Sequence, residues 1–303
     1  MKSRSIIKGL IWGLVALALV FHVAGGWYFS SVLIEDGFIP DPSAIEVPVG
    51  DYSLVETTYP TPLGEMDAWY LDAPGSLWVI HVHGRGATPA EGEHLFEPIQ
   101  TAGYPQLSIT YRNDEGQPVD PTGLYQYGAT EWEDIKAALE YATSRGAQGV
   151  VFFGYSTGAA HILSYAYKHQ IDDIRGAIFD SPNIDLGDTV DFAATQRKVP
   201  LLPMNVPPTL GATAKFFTSL RIGVNWKTVD YVSRADAALR VKTLVFHGTA
   251  DLTVPISQSA RFVEASPERV TLVTVVDAEH VGSYEADPAG YVRLVLDFLD
   301  GLR

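Results

Sequence analysis

Gly154-Tyr155-Ser156-Thr157-Gly158 follows the apolar run Val150-Val151-Phe152-Phe153 and leads directly into Ala159-Ala160. An apolar β-branched and aromatic run reads as a strand, and the small residues after the serine open a helix, so the pentapeptide has to be the sharp turn between them. Glycines two places either side of Ser156 remove Cβ atoms where such a turn crowds the neighbouring strand and helix. A hydroxyl held this way is presented at the edge of a sheet.

Further short apolar runs surround this one: Leu77 to Val82, Leu107 to Tyr111, Gly176 to Phe179, Val241 to Phe246 and Val270 to Val276. Such runs suit strands covered on both faces, as in a parallel sheet. Between them Trp132, Ile135, Leu139 and Tyr141-Ala142 line one helix face, and Tyr291, Leu294, Val295, Phe298 and Leu299 another. Tyr52 to Tyr59 and Glu65 to Leu71, separated by Pro60, Pro62 and Gly64, read as an antiparallel edge pair. The alternation gives an α/β fold, a doubly wound and mostly parallel sheet in a single globular domain over residues 51–303. One stretch breaks it. About residues 183–239 form far too long a connection, with Pro200, Pro203, Pro207 and Pro208 among Phe192, Phe216, Phe217 and Trp226. It reads as a small, mostly helical cap.

Two glycine-bounded loops supply groups that a serine hydroxyl needs in order to attack. His247-Gly248-Thr249-Ala250-Asp251 follows one strand and Ala278-Glu279-His280-Val281-Gly282 the next. The expected roles are Ser156 as nucleophile, His280 as base and Asp251 as the acid that orients it. Asp180 ends the strand Gly176 to Phe179 and is the other candidate for the acid. A developing oxyanion needs donors, expected from the backbone N–H of Thr157 and that of Arg85 in His83-Gly84-Arg85-Gly86. His81 and His83 flank a strand end without a third ligand at a recognisable spacing, so no metal is called for, nor is any cofactor.

With 36 acidic against 21 basic residues the formal charge is −15, and no basic stripe of the kind that nucleic acid requires is present. Cysteine is absent, which removes thiolate chemistry and disulfides. Lys2, Arg4 and Lys8 precede Gly9 to Gly26, a run apolar except for His22, and no Lys or Arg recurs until Arg85. Residues 1–26 are therefore expected to be a transmembrane anchor with its N-terminus inside and the domain extracytoplasmic. The competing reading is a signal segment cleaved near Ala18 or Gly26, leaving a secreted protein. Residues 27–50, with Gly37, Pro40, Pro42 and Pro48, read as an extended tether.

Together these motifs resemble the α/β-hydrolase superfamily over nearly all of residues 51–303, and within it bacterial α/β-hydrolase-domain proteins related to the serine aminopeptidase and acylglycerol-lipase-like groups. The matching pieces are His83 to Gly86, Tyr111-Arg112-Asn113-Asp114, Gly154 to Gly158, His247 to Asp251 and Glu279-His280. The order Ser, Asp, His along the chain is the one this superfamily uses. The resemblance implies Ser156, Asp251 and His280 as the triad, but no substrate. The cap aromatics and the apolar N-terminus add the expectation of a carboxylic ester with an apolar acyl part as small-molecule substrate, cleaved through an acyl-enzyme. A serine peptidase or envelope acyltransferase on the same scaffold is the alternative, and a non-catalytic ligand-binding or receptor protein is the alternative of another class.

Overall fold

The computed structural model describes residues 2–34, 47, 49–169, 173–199, 203–234 and 240–303. Among them eight strands form one sheet in the order β1-β2-β4-β3-β5-β6-β7-β8. The strands are β1 (Leu54–Thr61), β2 (Gly64–Leu71), β3 (Leu77–Val82), β4 (Gln106–Ile109), β5 (Gly149–Tyr155), β6 (Ile174–Asp180), β7 (Lys242–Gly248) and β8 (Val270–Val275). β1 and β2 form the antiparallel hairpin, β2 meets β4 antiparallel, and every pair beyond is parallel. All seven residues of β5 are buried, which explains why its sequence is apolar throughout and does not alternate. This is the doubly wound arrangement expected from the sequence.

The strand order reverses at β3, which has β4 on one side and β5 on the other. The helical segments leaving β3 and β5 pack on opposite faces, so a crevice opens beyond the carboxyl ends of those strands. The loop after β3 carries Arg85 and the turn after β5 carries Ser156, which sets both at that crevice.

Helices α2 (Phe96–Thr101), α3 (Trp132–Ser144), α4 (Thr157–Lys168), α5 (Leu186–Gln196), α6 (Pro208–Ile222), α7 (Ser257–Ala265), α8 (Ser283–Ala286) and α9 (Pro288–Asp300) follow the N-terminal α1 (Lys2–Ile34). One core lies on the face covered by α3 and α4, around Ile80, Ile135, Leu139, Phe152 and Ile162. A second lies on the other face, where α9 brings Tyr291, Val295 and Leu299 against Val151, Phe153 and Phe246. The inserted stretch is helical as expected, α5 and α6 standing over the carboxyl end of the sheet; its residues 200–202, Pro200 among them, and 235–239 lie outside the described ones.

The N-terminal segment departs from expectation. Helix α1 does not end at Gly26 but runs to Ile34, so the tether cannot start at residue 27; most of the remaining expected tether, 35–46 and 48, lies outside the described residues. Residues 6–34 are long and apolar enough to cross a membrane. Their exposure nevertheless changes along the helix. Ile6 to Val20 carries apolar side chains exposed on every face, whereas Gly26, Ser30 and Ile34 are buried. A side chain at Gly26 would put its Cβ 2.8 Å from Thr213 Cβ, a separation that admits only glycine where the α1 and α6 backbones close up. Ser30 Oγ accepts from Thr218 Oγ1 at 3.1 Å, and Arg221 Nη1 donates to Ser31 Oγ at 2.9 Å. The aromatic and aliphatic residues at 27–34 are thus helical because α6 and the body of the domain cover one side of them.

Candidate active site

Ser156 sits at φ 47°, ψ −115°, between the last residue of β5 and the first of α4. A non-glycine residue held there stores about 1–3 kcal/mol, retained only because the surroundings over-determine it. They do so through backbone hydrogen bonds and close packing. Ser156 N donates to Asp180 O at 2.9 Å, and Asn183 N donates to Ser156 O at 3.0 Å. A Cβ on Gly158 would lie 2.1 Å from Val82 O, and one on Gly154 would lie 2.8 Å from Ala159 N. The glycines on either side of the serine are therefore required by close approach to β3 on one side and to α4 on the other.

The sheet brings the other two predicted residues to this serine. His280 Nε2 lies 2.9 Å from Ser156 Oγ, and His280 Nδ1 lies 2.8 Å from Asp251 Oδ2. Because an ionised carboxylate only accepts, the proton on His280 belongs on Nδ1, leaving Nε2 to accept from the serine hydroxyl. The His280 loop is pinned beside it: Val281 has φ 55°, rare for a β-branched residue, and its N–H donates to Ser181 Oγ at 3.0 Å.

Asp251 and Asp180, the two sequence candidates for the acid, end neighbouring strand regions and are both buried. Only Asp251 reaches His280. Burial alone would raise its pKa, but His247 and His280 beside it and the N–H groups of Thr253 and Val254, both 2.8 Å from Oδ1, hold it well below the usual carboxylate range. Asp180 instead accepts from Ser283 Oγ at 2.8 Å and Tyr291 Oη at 2.9 Å, and burial pushes it up to about 6. One carboxyl is built to stay charged at any ordinary pH, whereas burial makes the charge on the other costlier.

The loop after β3 lies against α4. Arg85 N–H, the expected oxyanion donor, points at the elbow but is engaged by Thr157 Oγ1 at 2.7 Å. It must exchange that partner before it can serve an oxyanion, a difference from the simple expectation. Thr157 Oγ1 also accepts from Tyr125 Oη at 3.3 Å, whose hydroxyl meets His161 Nε2 at 2.8 Å. Gly84 N donates to Glu91 Oε2 at 2.6 Å, and His83 Nε2 meets Asp114 Oδ2 at 2.9 Å. Burial lowers His161 to about 3 and His81 to about 4, so both are neutral packing groups rather than bases. Glu91, the Thr157 hydroxyl and Tyr125 were not singled out from sequence, because their roles arise only when three separate segments meet.

A cavity of about 230 Å³ reaches from Ser156 and His280 beneath the cap. Leu186, Val190 and Ala193 of α5 and Ala214 of α6 line one side, and Phe29, Val32 and Leu33 of α1 another. A larger cavity of about 760 Å³ lies against the β1–β2 hairpin beside Glu56, Asp67 and Asp114. It touches none of Ser156, Asp251 or His280, and volume without a reactive group does not make it the site. No cluster of His, Asp or Glu able to hold a metal occurs among the described residues.

The sequence matches no protein-family model and no curated protein. Solved structures do match. The Pyrococcus furiosus esterase Pf2001 superposes with a TM-score of 0.64 at 18% identity, over 87% of this chain and 97% of that one. A putative aryl esterase from Burkholderia cenocepacia gives 0.59 at 18% identity over 82% and 99%. A bromoperoxidase from Bacillus anthracis gives 0.56 at 17% identity over 81% and 100%. Strand order, elbow and these likenesses agree: the chain has the α/β-hydrolase fold.

Proposed function

We propose that the protein is a serine hydrolase of carboxylic esters. The observation that carries this reading is the unbroken line Ser156 Oγ to His280 Nε2 and His280 Nδ1 to Asp251 Oδ2, at 2.9 and 2.8 Å. Ser156 Oγ attacks the ester carbonyl carbon while its proton passes to His280 Nε2, and Asp251 stabilises the imidazolium that forms. The carbonyl oxygen becomes an oxyanion held by the N–H groups of Thr157 and Arg85. A charged acceptor binds an N–H more strongly than a neutral hydroxyl does, so Arg85 N–H leaves Thr157 Oγ1 for it. The tetrahedral intermediate collapses, the C–O bond breaks, and the alcohol leaves with the proton from His280. Water then attacks the acyl-Ser156, giving up a proton to His280, and the carboxylic acid departs as Ser156 recovers its hydrogen.

The cavity beside Ser156, mostly apolar with Arg85, Asn183 and Arg197 among its polar lining, favours an ester with an apolar acyl group over a peptide, and the similar structures include proteins described as esterases. The basic residues before the apolar helix and the acidic ones after it favour an N-terminus inside and a hydrolase domain outside a membrane.

The test is labelling of the full-length protein in lipid nanodiscs by a fluorophosphonate, with the adduct located by mass spectrometry. Labelling confined to Ser156, absent in Ser156→Ala and slowed at least a hundredfold in His280→Ala, is expected. A folded protein that hydrolyses aryl esters at the parent rate with Ser156→Ala would sink the assignment.

A further inference from the structure

The cavity at Ser156 is not enclosed by the hydrolase domain alone. Phe29, Val32 and Leu33, from the last two turns of α1, form one of its walls. The carbonyls that end a helix need donors, and the catalytic domain supplies them here. Arg85 Nη2 donates to Val32 O at 2.7 Å, Tyr125 N donates to Ile34 O at 3.1 Å, and Tyr127 Oη donates to Leu33 O. Arg85 thus ties the α1 end to the same loop whose N–H faces the elbow. A segment docked this way is part of the pocket, and its cleavage as a signal near Gly26 would cut the helix between its exposed and its pocket-lining halves.

Depth gives this arrangement a direction. A hydrocarbon core of about 30 Å takes about 20 helical residues, so a span beginning near Ile6 extends to about Gly25. The α1 helix is already against the cap by then: His22 Nε2 meets Thr209 Oγ1 at 2.8 Å, and Gly25 abuts Leu210. The start of α6 must accordingly lie at the membrane boundary. Trp27 and Tyr28 just beyond it, and Phe216 and Leu220 two to three turns further along α6, are exposed by 50 to 68%, an apolar strip that continues the exposed span on to the cap. The cap segment 183–239 is also nearly charge-balanced, with six basic and five acidic residues in a chain of net charge −15, so it meets an anionic surface with little of the repulsion the rest of the domain would suffer.

Resting on the serine-hydrolase reading, we propose that α1 is both membrane anchor and acyl-binding wall, and that the substrate is a single-chain fatty-acyl ester taken from the bilayer with its chain lying along Phe29, Val32 and Leu33. One chain fits better than two because the cavity, about 230 Å³, is below the range of about 300–1,000 Å³ usual for ligand sites.

The experiment uses full-length protein in phosphatidylcholine nanodiscs and measures Ser156 labelling by two fluorophosphonates, one with a butyl and one with a dodecyl chain. The dodecyl probe is expected to react at least tenfold faster. Leu33→Trp should lower the ratio of dodecyl to butyl rates at least threefold, and Phe29→Ala should also move that ratio by threefold or more. Phe216→Glu combined with Leu220→Glu, both outside the cavity, should slow the dodecyl probe at least fivefold and the butyl probe less than twofold. Labelling at Ser156 that ignores chain length, or that changes equally for both probes in Leu33→Trp and Phe29→Ala, overturns the acyl wall. An unchanged dodecyl rate in the double Glu variant overturns the bilayer route. No labelling of Ser156 by either probe overturns the serine-hydrolase reading itself, and this inference with it.

Discussion

The side chains proposed to react and the walls around them are built by different means. Ser156, Asp251 and His280 follow β5, β7 and β8, so one sheet register and a handful of backbone hydrogen bonds fix all three. The walls come from α1, α5 and α6, helices distant along the chain and held by side-chain contacts, close-packed glycine and apolar burial. The difference teaches which changes do what: disturbing a strand end should stop the chemistry, whereas disturbing a wall should change which acyl chain is accepted.

The largest effect expected tests the strand ends against each other. Asp251→Asn keeps the shape but permits the wrong His280 tautomer, and should lower kcat about 10³- to 10⁴-fold with KM little altered. Asp180→Asn, one strand away and not bonded to His280, should stay within about threefold. Steady-state kinetics of the two variants on one aryl ester decide it; equal losses would mean that the two carboxyls act as a unit.

The next asks whether α1 is a detachable anchor. Ile34 is fully buried against the domain. Ile34→Ala should therefore cost about 2–5 kcal/mol of stability, read by denaturant unfolding in detergent micelles. A detachable anchor would leave the unfolding midpoint where it was.

Asp180 gives a third contrast, in pH. Its folded pKa is raised to about 6, while an unfolded Asp titrates near 4. Between those values the folded protein keeps a proton that the unfolded chain has lost. The stability this group contributes is thus fully present below about pH 4 and falls away as pH rises through about 6. Asp180→Asn should remove that slope, so the variant should gain on the parent by about 2 kcal/mol between pH 4 and pH 7. Unfolding midpoints across that range that run parallel for the two proteins would contradict it.

How much of this was legible in the sequence follows the same division. The elbow, the Ser, Asp, His order and the buried strands were readable because each rests on a short local signal: a glycine two residues away, an apolar run, a loop at a strand end. Asp251 was preferred to Asp180 for its place in the Ser, Asp, His order along the chain, and it is Asp251 that lies against His280. The wall was not readable, because nothing within Phe29, Val32 and Leu33 distinguishes residues facing lipid from residues facing a cavity; both are apolar, and only packing against α6 and Arg85 separates them. The same cause hid the helix beyond Gly26, where Gly25-Gly26 looked like an ending and is instead a contact surface. Glu91 and Tyr125 escaped for a related reason, since a carboxylate bonded to Gly84 N–H and a phenol bonded to Thr157 leave no periodic trace.

The smallest effect concerns Arg85, where the two regions meet. Its backbone N–H belongs to the elbow, and its guanidinium belongs to the α1 end through Val32 O. Arg85→Met keeps the first and removes the second. A hydrogen bond from a charged group contributes about 1.5–3 kcal/mol, and part of that is recovered when water reaches the freed carbonyl. kcat/KM for a long-chain ester should consequently fall about three- to tenfold, while that for a butyrate ester should change less than twofold. If instead the guanidinium assisted the oxyanion directly, both esters would lose the same factor and the loss would sit in kcat. The ratio of the two losses therefore reports whether this side chain serves the wall or the chemistry.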